Sequence, residues 1–83
     1  HAPQALELMN GTLSNDMAKA LAARLDKEAG SSQAKQVDLA YRLTAGRLPN
    51  AKEKATALRF LKTQSLSEFS LAMLNLNSFL YVD

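Results

Sequence analysis

Eighty-three residues carrying ten Lys and Arg against eight Asp and Glu, for a net charge of +2, make up one domain's length of chain. Apolar residues are 47% of the sequence, so wholesale disorder is excluded. Fifteen Leu and fourteen Ala stand against two Val, no Ile and no Trp, which argues against a β-sandwich or barrel. No Cys is present, so disulfides, thiolate chemistry and zinc–thiolate sites are excluded as well.

Punctuation along the chain predicts an all-α bundle of about five helices with short loops. Pro3 suits a first helical turn, and Ala5, Leu6, Leu8 and Met9 lead into an Asn10-Gly11 stop. A second helix starts near Thr12 to Ser14, where Leu13, Met17, Leu21 and Leu25 recur every four residues with Ala18 and Ala22 beside them. Gly30 is a natural C′ residue for it. Ser32 caps a third helix, whose inward stripe is Val37, Ala40, Tyr41 and Thr44, with Asp38 and Arg42 as an i,i+4 pair. Gly46 and Pro49 end it.

Two capping boxes follow, Asn50-Ala51-Lys52-Glu53 and Ser65-Leu66-Ser67-Glu68. The helix after the first spans about 51–63 and is expected to bury Ala51, Ala55, Leu58 and Leu61, with Phe60 on a flank. The helix after the second, near 66–76, is apolar over most of its circumference and is expected to be central. The predicted core comprises Leu6, Leu13, Met17, Leu21, Leu25, Val37, Tyr41, Leu58, Leu61, Phe69, Met73, Leu76 and Phe79. At this length about 60–65% of the unfolded chain's surface can be buried, so modest stability is expected.

Catalytic machinery is hard to assemble from these residues. The single His is His1, at the start of the chain, and the serines lack any His or Lys partner in the pattern. Asp26 and Glu28 diverge on a helix, and no HExxH, phosphate-binding glycine loop or EF-hand loop occurs. Neither a catalytic nor a metal residue is assigned. No apolar run reaches the roughly 18–20 residues needed to span a bilayer.

The stretch Arg42 to Lys62 is basic, with Arg42, Arg47, Lys52, Lys54, Arg59 and Lys62 against Glu53. These charges fall on several helical faces and have no aromatic stacking platform between them, which disfavours nucleic acid and leaves a solvated surface. Arg47 stands near the negative end of the third helix and could also clamp a ligand carboxylate or a loop carbonyl. Asn75 and Asn77 run into the tail Ser78-Phe79-Leu80-Tyr81-Val82-Asp83. They can cap the last helix and dock the tail, or present amides to a polar ligand together with Arg47 and Tyr81.

Three stretches carry a resemblance: Pro3-Gln4-Ala5-Leu6-x-Leu8-Met9-Asn10, then Tyr41-Arg42-Leu43 with Gly46-Arg47-x-Pro49, then Leu74-Asn75-x-Asn77-x-Phe79-Leu80-Tyr81-Val82-Asp83. In this order they resemble the C-terminal part of the PSD1 domain, a family of unknown function (DUF1553) in large proteins of planctomycetes and related bacteria. The resemblance implies a multidomain, exported parent whose other domains are the natural partners of this chain. Such parents often carry a c-type haem domain upstream; no cofactor is expected here, because this chain has no Cys to attach haem. The family offers no catalytic residues to carry over, and Ser78 stands where an acidic residue is common. The function expected is a non-enzymatic helical packing module. The alternatives are a polar-ligand site, of which a glycan is one candidate ligand, that uses Arg47, Asn75, Asn77 and Tyr81, or anionic-polymer binding by the 42–62 surface. Dimerisation would follow from apolar surface that the missing segments of a parent would cover.

Overall fold

In the computed structural model, residues 12–77 are described, and they form four helices: α1 (Thr12–Ala29), α2 (Gln33–Ala45), α3 (Ala51–Leu61) and α4 (Leu66–Leu76). Among the described residues no strand occurs, and the fold is all-α. The expected helix before Gly11, with Leu6, and the tail with Phe79 and Tyr81 lie outside the described residues.

Each described boundary has a local cause. The α1 helix stops at Gly30, whose φ of 64° is left-handed and whose N–H donates to the Asp26 carbonyl at 3.0 Å. The Gln36 side chain then donates to the Gly30 carbonyl at 2.6 Å, tying the turn to α2. Ser32 holds extended backbone before α2 and accepts from the Lys35 N–H. Gly46, at φ 71° and ψ 16°, ends α2 by donating its N–H to the Arg42 carbonyl. At α3 the Asn50 box forms in full: Asn50 Oδ1 accepts the Glu53 N–H at 2.8 Å, and Glu53 Oε1 accepts the Asn50 N–H at 2.9 Å. Ser65 caps α4 by accepting the Glu68 N–H at 3.0 Å, but the Glu68 side chain does not reach back to the Ser65 N–H, so the second expected box is only half formed.

The main core gathers Leu25 from α1, Val37, Ala40 and Tyr41 from α2, Ala57 and Leu61 from α3, and Phe69 and Met73 from α4. Phe60 and Phe69 meet in a tilted pair with ring centroids 6.2 Å apart. A second cluster joins Ala18 of α1 to Leu74 of α4. Both α2 and α4 pack on all the other helices, and the most extensive contact is between α1 and α4.

Three expected core residues are at the surface. Leu13, Met17 and Leu76 are 56%, 39% and 69% exposed. Geometry explains the first two. A helix turns about 100° per residue, so a stripe with a four-residue step drifts by about 40° at each step. From Leu13 through Met17 and Leu21 to Leu25 the drift is about 120°, and exposure falls along that path to zero at Leu25. The face that α1 buries is Ser14, Ala18, Ala22 and Leu25. In α4 the buried residues are Phe69, Ser70, Met73 and Leu74; Leu76 shares the side of Phe69 and Met73, but it is the last residue of the helix and stands exposed at the edge of the groove that they line.

In α3 the expectation is rotated too. Ala51 and Ala55 are exposed, whereas Ala57 and Leu61 are buried and Leu58 is half-buried. The expected pairing of Asp38 with Arg42 is replaced by a contact between helices: Lys54 Nζ donates to Asp38 Oδ1 at 2.7 Å, linking α3 to α2. With both side chains over a quarter exposed, such a pair contributes little to stability but fixes a register.

Candidate functional site

Gly46 reverses the chain and sets Arg47 beside the start of α3. There the guanidinium is held by two parallel bonds, Nη1 to Glu53 Oε1 at 2.8 Å and Nη2 to Glu53 Oε2 at 2.9 Å. Nη1 also donates to the Leu48 carbonyl at 3.1 Å, and the guanidinium carbon lies 5.6 Å from the Tyr41 ring centroid. Of the two ligands the sequence suggests for Arg47, the loop carbonyl is present, and the carboxylate is the chain's own Glu53.

Glu53 is the centre of this corner. Its carboxylate takes both arms of Arg47 and the Asn50 N–H, which hold its pKa down at about 2. Arg47 is held protonated above its ordinary range by the same pair. Burial pushes the Tyr41 hydroxyl up, and the Glu53 charge adds to that rise. All three groups keep their usual charge at neutral pH, and none is poised for proton transfer there.

Beside the corner, an apolar groove of about 320 Å³ opens between α3 and α4. Tyr41, Ala57, Phe60, Phe69, Ala72, Met73 and Leu76 line it, with Lys52, Glu53 and Thr56 on the α3 side. A second, shallower furrow of about 370 Å³ lies among Met17, Leu21, Leu43 and Leu74, flanked by Arg24 and Thr44.

The remaining candidates go to different places. Asn77 closes α4: its amide donates to the Met73 carbonyl at 2.8 Å and to Thr44 Oγ1 at 3.2 Å, while Thr44 donates to the Ala40 carbonyl. This is the capping role, extended into a tie between α4 and α2. Asn75 is half-buried in the last turn of α4, and Tyr81 lies outside the described residues. The bonds of Arg47 and Asn77 go to separate partners, so the two do not converge on one point. On the basic surface, Arg47 and Lys54 are each paired with a carboxylate.

Sequence reasoning missed two serines. Ser14 and Ser70 are fully buried on the inward faces of α1 and α4, and the Ser70 hydroxyl has no hydrogen-bond partner. A signal was present, since Ser70 precedes Leu74 by four residues and so shares its face. Among the described residues no group of three or more His, Asp or Glu could hold a metal ion, and no helix is long and apolar enough to cross a membrane.

Comparison with curated proteins and with solved structures finds no match. Residues 1–61 match PSD1, described as a protein of unknown function (DUF1553). The motifs at 3–10 and 41–49 fall inside that stretch, and the closing one at 74–83 falls outside it. With nearly three quarters of its length matched, the chain belongs to the PSD1 (DUF1553) family.

Proposed function

We propose that this domain is a non-enzymatic packing module that docks against other segments of a larger, exported protein. The observation that carries the reading is the outer face of α1. Leu13 and Met17 stand one turn apart in solvent, and Met17 continues into the apolar furrow with Leu21, Leu43 and Leu74. Single exposed apolar residues are ordinary, but a stripe that runs into an apolar furrow is the shape of an incomplete helix–helix contact. A partner helix laid there would cover what α2 and α4 leave open.

The described residues add support by what they spend their polar groups on. Arg47, Glu53, Asn50 and Asn77 are engaged in closing loops and helix ends. That leaves little for the polar-ligand alternative built on Arg47, Asn75, Asn77 and Tyr81. The anionic-polymer alternative loses the charges of Arg47 and Lys54 to internal pairs.

The test compares this chain with a version extended at its N-terminus by the parent's own sequence. Packing predicts a higher melting temperature for the longer chain and a monomer by light scattering. Met17→Glu should remove much of that gain while leaving the 83-residue chain's melting unchanged. A longer chain that melts no higher refutes the reading.

A further inference from the structure

We propose that the partner docked on α1 is an amphipathic helix of about three turns, laid along the seam between α1 and α2, with acidic residues on the edge that faces α2. The proposal rests on the packing reading above and adds the partner's length and charge.

The furrow of Met17 and Leu21 does not end at Arg24. A depression of about 270 Å³ continues it between Ala29, Lys35 and Leu39, with Glu28 and Arg42 on its rim. The two adjoin at Arg24, which lines the first and donates from Nε to Glu28 Oε2 of the second at 2.6 Å. On α2 they adjoin where Leu43 follows Arg42.

Helical spacing makes this seam one stripe on each helix. Met17, Leu21, Arg24 and Glu28 follow at steps of four, three and four, and Lys35, Leu39 and Arg42 at four and three. Steps that mix three and four hold one azimuth on an α-helix. From Met17 to Glu28 the seam runs roughly 16 Å at 1.5 Å per residue, the length of three helical turns. Its first end is apolar, through Met17, Leu21, Leu43 and Leu74, and its second keeps Leu39 and Ala29 between charged rims. A helix with apolar anchors at i, i+3, i+4 and i+7 fits such a groove.

Charge decides the sign of the partner's edge. Both carboxylates along the seam are engaged, Glu28 with Arg24 at 2.6 Å and Asp38 with Lys54 at 2.7 Å. Because Asp38 turns to α3, Arg42 is left without an ion pair among the described residues, and so is Lys35. Both are exposed on the same stripe of α2. A basic edge laid there would meet like charge, whereas an acidic edge neutralises it.

The test titrates the isotope-labelled 83-residue chain with two synthetic helical peptides of about 14 residues, followed by NMR. They share a Leu stripe at i, i+3, i+4 and i+7 and carry either Glu or Lys beside it. The Glu peptide should shift the amides of Met17, Leu21, Leu39 and Leu43. It should bind about tenfold tighter than the Lys peptide, a preference that shrinks in about 1 M NaCl. In the double variant Lys35→Glu, Arg42→Glu the order should reverse while helicity is kept. Equal binding of the two peptides, or an order unchanged in the double variant, overturns the proposal. So do shifts confined to the groove between α3 and α4, or none at millimolar peptide. The packing reading is judged separately, by the melting gain of the extended chain. A gain there with equal binding of the peptides would keep docking and remove the acidic edge.

Discussion

Leu25 gives the sharpest test of how the core works. It is fully buried, and with half-buried Leu21 beside it joins α1 to the cluster of Val37, Tyr41, Leu61 and Met73. Leu25→Ala removes three carbons, worth about 2.4 kcal/mol at about 0.8 kcal/mol per CH₂. Neighbours on several helices cannot all move inward, so a void of roughly 50 Å³ should persist and add about 1.2 kcal/mol at about 24 cal/mol per Å³. The expected cost is about 3.5 kcal/mol, against a total stability of about 4–12 kcal/mol for a chain of this length. Urea unfolding followed by circular dichroism at 222 nm measures it. With a slope of about 1 kcal/mol per molar, the midpoint should fall by about 3 M or more. Leu48, 50% exposed in the loop before α3, is the control, and Leu48→Ala should cost no more than about 0.5 kcal/mol. A Leu25→Ala cost below about 1.5 kcal/mol, or one equal to that of Leu48→Ala, would refute this account of the core.

Three further outcomes follow from the caps, the ion pair and the buried serine. Gly46→Ala should cost about 1 kcal/mol through backbone strain alone, since a Cβ there meets nothing within 4 Å, and Gly46→Asn should cost less; equal melting of all three proteins would contradict this. Glu53 has its pKa lowered from 4.5 to about 2 in the folded chain, so its stabilising effect is complete above pH 4.5 and is lost as pH falls towards 2. The melting-temperature gap between wild type and Glu53→Gln should therefore close across that window, and a gap independent of pH would count against the pairing. Ser70→Ala removes a buried hydroxyl that has no partner, so it should be neutral or stabilising by up to about 1 kcal/mol in urea titrations; a loss above that size would mean the hydroxyl is engaged.

The helix boundaries were legible because they depend on neighbours in sequence. Gly30, Ser32, Gly46, Asn50 and Ser65 each act on groups within four residues, and each does what its residue type predicts. The stripe of α2 was legible for a related reason: Val37, Ala40, Tyr41 and Thr44 mix three- and four-residue steps, which hold one azimuth on a helix of 3.6 residues per turn. The leucine stripe of α1 misled because equal steps of four do not. Its inward face is set by the approach of α4, which favours Ser14, Ala18 and Ala22 over larger side chains at the contact. At the candidate site, Arg47 could be picked out as a clamp, but its partner could not. The Glu53 carboxylate was assigned to the capping box, and only the turn at Gly46 brings the guanidinium onto the same oxygens. The groove was illegible for the same kind of reason, since it is framed by residues from three helices.

The Arg47–Glu53 corner also bears on the order in which the chain folds. Its partners lie within six residues of one another, so α2 and α3 can be joined at small loop-closure cost before anything else is in place. The α1–α4 contact, by contrast, unites the two ends of the described chain and must wait for the slower, long-range closure. Weakening the corner should therefore show mainly as slower refolding, whereas loosening the Ala18–Leu74 contact should show mainly as faster unfolding. A domain arranged this way would hold α2 and α3 together while α1 and α4 part, and among the described helices those two carry the exposed apolar side chains Leu13, Met17 and Leu76.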